Sequence, residues 1–362
     1  MPIEKINIDH FLSLSEELPI IDVRSPGEYN HAHIPGAYSV PVFTDEQRAI
    51  IGTAYLQENR QTAVNHGLNY FSERMRKIPE EIINIIMGWK MKEDTPSSDL
   101  KHEGILIHCW RGGMRSEAVA WLMNLYGYKI YLLNGGYKSF RRWASAQFEK
   151  KYSLKVLGGF TGSGKTQVLN ELKRQGKKVI NLEDLANHKG SAFGTLGEKP
   201  QPSHEMFENI LAKELNKISN NRNDDNGKNI NEIWIEDESI HIGKVGIPKI
   251  FWEQMRASPL FFLDIPFEPR VNYISNTYGG FDKKDLIKCI LKIQKRLGGL
   301  DTKNTIHYIS ENNFKEGFAI LLKYYDKQYA KSLENRENLQ SLLNKVACKN
   351  VDISNTGKLL IQ

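Results

Sequence analysis

Residues 108–116 read His-Cys-Trp-Arg-Gly-Gly-Met-Arg-Ser, directly after the apolar run 104–108. A cysteine between a strand end and a helix start sits where backbone N–H groups converge. Those donors and the helix dipole favour thiolate over thiol. Gly112 and Gly113 let the loop curl with its amides inward. Trp110 and Met114 complete the ring, and Arg111 and Arg115 add two guanidinium groups that can grip an oxyanion through paired N–H donors. Cys109 is therefore expected to be catalytic, with Arg111 and Arg115 beside it. A buried structural cysteine is the bland alternative, and the adjacent glycines and arginines argue against it. Cys289 and Cys348 lack such surroundings and are expected to be structural.

Residues 159–166, Gly-Phe-Thr-Gly-Ser-Gly-Lys-Thr, match G-x-x-x-x-G-K-[ST], with an apolar strand before them and a helix over 167–173 after them. Gly159, Thr161, Gly162, Ser163, Gly164, Lys165 and Thr166 are expected to bind a diphosphate. The amides cradle its oxygens, Lys165 adds charge, and the Thr166 hydroxyl can hold Mg²⁺. The acidic run after the strand at 233–235 offers Asp237 as a carboxylate for Mg²⁺ and Glu238 as a base or substrate contact. No N-K-x-D guanine-reading motif is present, so the diphosphate could belong to a nucleotide or to another molecule. His188, Lys189 and Ser191 follow the second strand of this half, and ligands gather at strand C-termini in such folds, so they are assigned to substrate.

The elements that must position these residues read as two α/β domains, since 362 residues exceed one ordinary domain. Short apolar runs at 19–23, 104–108 and 130–133 alternate with helical stretches over 1–145, including a helical insert over about 44–90. A polar helix over 141–151 is the expected linker. Strands at 154–157, 178–181, 233–235 and 260–263 belong to a second domain, 152–362, whose residues 282–349 look wholly helical. A breaker at 95–99 and an Asn-rich surface loop at 219–231 punctuate the chain.

Hydrophobic residues make up 40% and charged residues 25%, the mix of a soluble globular protein. Three cysteines exclude a disulfide framework. No apolar run is long enough to span a membrane, and residues 1–20 lack the pattern of a signal peptide, so a cytoplasmic location is expected. The net charge is +6, yet residues 1–150 hold 17 basic and 18 acidic side chains, so the basic excess lies in the second half. That permits a polyanionic partner there. Over 281–297, Leu286, Ile290, Ile293 and Leu297 form an apolar helical face. Lys284, Lys288, Lys292 and Lys295 form a basic stripe, the candidate nucleic-acid surface. Tyr273, Tyr278 and Phe281 could stack on a base or pack in the core.

Asp22-Val23-Arg24, Glu28-Tyr29, His33-Ile34-Pro35-Gly36-Ala37, the Cys109 loop and Leu133-Asn134-Gly135-Gly136 resemble a rhodanese domain, which carries sulfur as a cysteine persulfide. The seven residues from Cys109 to Arg115 exceed the usual rhodanese loop, and the pattern is also similar to the phosphate-binding loop of cysteine-dependent phosphatases. Over about residues 20–299 the chain resembles the bacterial tRNA 2-selenouridine synthase family. The resemblance rests on the Cys109 loop, Gly52-Thr53-Ala54-Tyr55, the phosphate loop, the segment 185–194, Pro200-Gln201-Pro202-Ser203, Glu236-Asp237-Glu238-Ser239 and Arg296-Leu297-Gly298-Gly299. Ile240 stands where the family often has an arginine.

The resemblance implies an N-terminal rhodanese-like α/β domain with a parallel sheet, and a C-terminal P-loop NTPase-like α/β domain with a helical end. It implies a transferase that converts wobble 2-thiouridine of tRNA to 2-selenouridine. Selenophosphate and geranyl diphosphate would be co-substrates, and an S-geranylated nucleoside the intermediate. A selenophosphate-producing enzyme is an implied partner. No tightly bound cofactor is expected beyond Mg²⁺ at the phosphate loop. The competing readings are a cysteine phosphatase or sulfurtransferase fused to a nucleotide-binding domain, and a non-catalytic nucleotide switch. They leave the segment 187–194 and the basic half unexplained.

Overall fold

The computed structural model describes residues 3–92, 104–220 and 232–361. The chain divides into two compact units, Met1–Ala146 and Gln147–Gln362. The breaker at 95–99 and most of the Asn-rich stretch lie outside the described residues. Ser219 and Asn220, expected in that loop, close the helix His204–Asn220 instead.

The first unit holds β1 (Ile3–Ile6), β2 (Ile20–Asp22), β3 (Tyr38–Ser39), β4 (Ile105–His108) and β5 (Ile130–Leu133). They form one sheet in the order β1-β5-β4-β2-β3, with every pairing parallel. Parallel neighbours need crossover connections, usually helices, which leave the sheet covered on both faces. β2, β4 and β5 are accordingly buried at every position, with the uninterrupted apolar sequences Ile-Ile, Ile-Leu-Ile and Ile-Tyr-Leu-Leu. Ile21, Ile107 and Leu132 join Val119 and Met123 of the helix Met114–Leu125 and Ile78, Ile82 and Ile86 of the insert in one core. The insert is three helices, Asp45–Gln57, Arg60–Arg74 and Lys77–Lys92. Thr44 caps the first: its hydroxyl accepts from Gln47 N at 3.2 Å, and Gln47 Oε1 accepts from Thr44 N at 3.0 Å. The polar helix expected as a linker runs Gly136–Glu149.

The second unit holds β6 (Ser153–Gly159), β7 (Lys178–Ile180), β8 (Glu232–Glu236), the hairpin β9 (His241–Ile242) and β10 (Val245–Gly246), β11 (Leu260–Asp264) and β12 (Leu343–Ala347). Its main sheet is parallel, in the order β12-β11-β6-β8-β7. The central strand β6 therefore delivers the phosphate loop at its C-terminal end. Its neighbour β8, in register at Leu157↔Glu236, delivers the acidic run beside it. The expectation that 282–349 is wholly helical fails at β12. Leu343-Asn-Lys-Val-Ala buries only Val346 and has no apolar pattern to announce a strand; pairing with β11 makes it one. Among the described residues no helix is long and apolar enough to cross a membrane.

Candidate functional site

In the first unit β4 ends at His108 and the helix Met114–Leu125 begins five residues after Cys109. Cys109 is buried at 3% exposure. The fully buried Ser116 places its hydroxyl 3.2 Å from Cys109 Sγ and 3.0 Å from Gly113 O. Gly112 needs to be glycine: φ is +69°, and a Cβ would stand 2.6 Å from Leu133 O. The Leu133–Gly136 segment thus backs the loop, and Tyr137 N and Lys138 N donate to Cys109 O and Trp110 O at 2.8 and 3.0 Å. Arg115 Nη1 donates to Glu28 Oε2 at 2.8 Å. Among the described residues its other guanidinium donors stay available for an anion. Burial would raise the Glu28 carboxyl, but the Arg115 guanidinium overcomes this and holds it below its ordinary value. Arg111, Trp110 and Met114 are exposed around the rim.

Beneath the loop lies a buried charge network. Arg24, 1% exposed, bonds Asp22 through Nη2 at 2.6 Å and Nε at 3.0 Å, donates to Ala32 O at 2.7 Å, and lies 3.8 Å over the Tyr137 ring. Burial opposes the Asp22 charge, but His108 and Arg24 outweigh it and keep the carboxyl below its usual range. The His108 imidazole is fully buried, and burial lowers its pKa despite Asp22 at 3.6 Å.

In the second unit a cavity of about 470 Å³ opens at the phosphate loop. Gly159, Thr161, Gly162, Ser163, Gly164, Lys165 and Thr166 line it, together with Lys189, Ser191, Asp237 and Glu238. The structure thus gathers most of the second-half candidates. Lys165 Nζ donates to Gly159 O at 3.2 Å, and Lys189 pairs with Glu198 at 3.0 Å. Phe193, Ile274, Tyr278, Phe318, Leu321 and Leu322 also line it, and Ile274 lies against the loop itself, 2.8 Å from where a Gly162 Cβ would stand. Thr166 and Asp237, expected to share Mg²⁺, both line the cavity but have different hydrogen-bond partners. Asp237 Oδ2 accepts from Tyr329 Oη at 2.6 Å and its Oδ1 from Arg336 at 3.1 Å, whereas Thr166 Oγ1 bonds Glu183 Oε2 at 3.2 Å. Burial first, then Glu183, pushes the Glu238 carboxyl up to about 8 against the pull of Lys165. Glu236 is raised well above its ordinary value for the same two reasons. Tyr329 stays a phenol, raised by burial and by Asp237, and its oxygen also accepts from Gly159 N at 3.3 Å.

His188 does not line this cavity. It is buried between Gly194 and Gly243, where added Cβ atoms would stand 2.6 and 2.8 Å from its ring, and its Nδ1 has no hydrogen-bond partner. Burial and then Lys292 lower its pKa. Lys284, Lys288, Lys292 and Lys295 are exposed along the helix Lys283–Leu297, with Lys288 paired to Asp285 at 2.9 Å. Tyr278 is buried with Phe193 and Phe318, so it packs rather than waits for a base. Sequence reasoning missed Glu28, Glu183, Tyr329 and Arg336 as site residues. Glu28 lay in a quoted motif, whereas the other three carry no local signature.

The chain matches two family models: the rhodanese-like domain over residues 8–142, and the tRNA 2-selenouridine synthase AAA domain over residues 152–346. A tRNA 2-selenouridine synthase of Bdellovibrio bacteriovorus is 32% identical over 93% of this chain and 94% of its own length. Its namesake in a Sulfurovum species is 33% identical over 87% and 89%. That of Nitrosomonas europaea is 34% identical over 75% of this chain and 67% of its own. With this similarity spanning both α/β units, and with a cysteine loop in one and a phosphate loop in the other, the chain belongs to the tRNA 2-selenouridine synthase family.

Proposed function

We propose that the protein converts wobble 2-thiouridine of tRNA to 2-selenouridine in two transfers, one at each site. A thiocarbonyl sulfur leaves poorly, so it is alkylated first. The sulfur attacks the first carbon of geranyl diphosphate, the S–C bond forms as the C–O bond breaks, the N3 proton is lost, and diphosphate departs. Loop amides and Lys165 stabilise that leaving group where its charge develops. The selenium of selenophosphate then adds at C2, the C2–S bond breaks and the geranyl thiol leaves with a proton, and water takes the phosphoryl group as the P–Se bond breaks, releasing phosphate; Cys109 receives or aligns the donor, and Arg111 and Arg115 balance its charge.

The observation that carries this reading is that one cavity is lined both by the phosphate loop and by the apolar side chains of Phe193, Phe318, Leu321 and Leu322. A prenyl diphosphate needs both an anion cradle and an apolar lining, and competition separates it from a nucleotide, whose base can also rest on apolar side chains. The test is competitive binding of geranyl diphosphate, pyrophosphate and ATP to wild type, Lys165→Ala and Leu322→Trp. Lys165→Ala is expected to weaken all diphosphates. Leu322→Trp is expected to weaken geranyl diphosphate about tenfold or more while sparing pyrophosphate. ATP binding tighter than geranyl diphosphate would contradict the reading. The exposed lysines at 284, 288, 292 and 295 are the proposed tRNA contact.

A further inference from the structure

The helix Met114–Leu125 departs from the pattern of a surface helix. It buries Val119, Ala120, Leu122 and Met123 in the core of the first unit. Its outer face is apolar as well, with Met114 57%, Trp121 50% and Leu125 64% exposed. A surface helix is ordinarily polar on the side away from its core, and a helix that is apolar all round is one that something covers. At about 100° per residue these three side chains fall within about 40° of arc, so they form one line along the helix. The half-buried Ala118 lies beside that line, and Glu117, paired with Lys5 at 2.7 Å, borders it. The line starts at the Cys109 loop. Met114 is both a loop residue and the first residue of the helix, and Trp110, tilted against Tyr137 at 5.6 Å, is exposed on the loop rim.

Selenophosphate has no apolar part, so the donor has no use for this face. The other reactant does. Selenium adds to the same carbon that the geranyl thiol leaves, so the geranyl chain comes to the Cys109 loop together with C2 of the base. A chain left in water there costs free energy in proportion to its apolar area. From Met114 to Trp121 is about 10 Å, two turns at 1.5 Å per residue, which is the order of a stretched geranyl chain. We propose that Met114, Trp121 and Leu125 form a subsite for the geranyl chain of the thioether, which holds its sulfur at the Cys109 loop until selenium displaces it. Met114 is flexible and polarizable and Trp121 presents a broad flat ring, which suits a bent unsaturated chain. This subsite belongs to the first unit, whereas the cavity at the phosphate loop belongs to the second.

The proposal rests on the two-transfer reading, and the test separates the two. The full chain is given selenophosphate and tRNA that already carries either S-geranyl-2-thiouridine or S-allyl-2-thiouridine, prepared chemically, and 2-selenouridine is followed by nucleoside mass spectrometry. The allyl group keeps the allylic sulfur and removes the chain, so the two leaving groups react alike. Wild type is expected to use the geranyl substrate about tenfold or more efficiently than the allyl one in kcat/KM. Trp121→Gln with Leu125→Gln is expected to lower the geranyl value about tenfold and to leave the allyl value within about twofold, because the allyl group does not reach these side chains. A loosened fold, or a lost stacking surface for the base, would lower both substrates alike. Trp121→Phe is expected to retain the preference. Equal use of the two substrates by wild type, or a full geranyl preference in the double variant, overturns the proposal and leaves the conversion to 2-selenouridine standing. So does a double variant that lowers both values alike or changes the sedimenting mass, since the stripe is then a protein interface. Conversion of neither substrate by wild type overturns both readings.

Discussion

Replacing Arg24 by alanine would test whether the buried network beneath the cysteine loop holds that loop in place. The guanidinium makes three bonds to the Asp22 side chain and one to Ala32 O, and covers Tyr137 at 3.8 Å. Its removal leaves the Asp22 carboxylate at 0% exposure with only His108 beside it, an imidazole whose charging burial opposes. Breaking one partner of a buried ion pair costs about 3–5 kcal/mol, because the other charge stays unpaired. Tyr137 N holds Cys109 O at 2.8 Å, so the loss reaches the cysteine loop. The assay is hydrogen exchange read peptide by peptide. Protection over 20–40 and 104–140 is expected to fall by about two to four powers of ten, with 153–264 unchanged. The double variant Asp22→Asn, Arg24→Met is expected to recover much of it, since two matched neutral groups leave no stranded charge. Protection within tenfold of wild type in Arg24→Ala would refute the reasoning.

Tyr329→Phe keeps the ring against Phe160 and Phe262 but removes the donor to Asp237 and the acceptor for Gly159 N. A loss of about 1–3 kcal/mol in thermal unfolding of the second unit is expected, and a neutral result would show that Arg336 alone satisfies Asp237. Lys288→Glu with Lys292→Glu is expected to lower tRNA affinity in filter binding and to reduce the slope against log salt by about one or more; an unchanged slope moves the tRNA surface elsewhere. His108 titrates below its ordinary 6.5 in the folded chain, so the unfolded chain takes up the proton first and stability falls as pH drops below about 6.5. His108→Gln is expected to flatten that fall in urea midpoints, and an unaltered pH profile would clear His108 of the effect.

The phosphate loop and its flanking strand were legible because the motif is local and Leu154, Val156 and Leu157 of β6 lead directly into it. The cysteine loop was legible for the same reason. What the sequence hid depends on distant segments. β12 is a strand because β11 accepts it, not because of its own residues. Asp237 and Glu183 are both acidic and both near strand ends, and nothing local says which side chain meets Thr166. The answer lies in Arg336, 99 residues downstream, which claims Asp237 and leaves Glu183 to the loop. His188 shows the reverse case: a residue in an informative segment whose side chain is held by two close-approaching glycines outside the cavity. Tyr278 was legible only as aromatic, and its burial with Phe193 and Phe318 settles it as packing.

The most direct test of the two-site account is nucleoside mass spectrometry of thiolated tRNA incubated with the protein, geranyl diphosphate and selenophosphate. Wild type is predicted to yield 2-selenouridine, Cys109→Ala to stop at geranylated thiouridine, and Lys165→Ala to leave thiouridine unchanged. Wild type that leaves the nucleoside untouched with both donors present, or Cys109→Ala that forms selenouridine at the wild-type rate, would contradict the account.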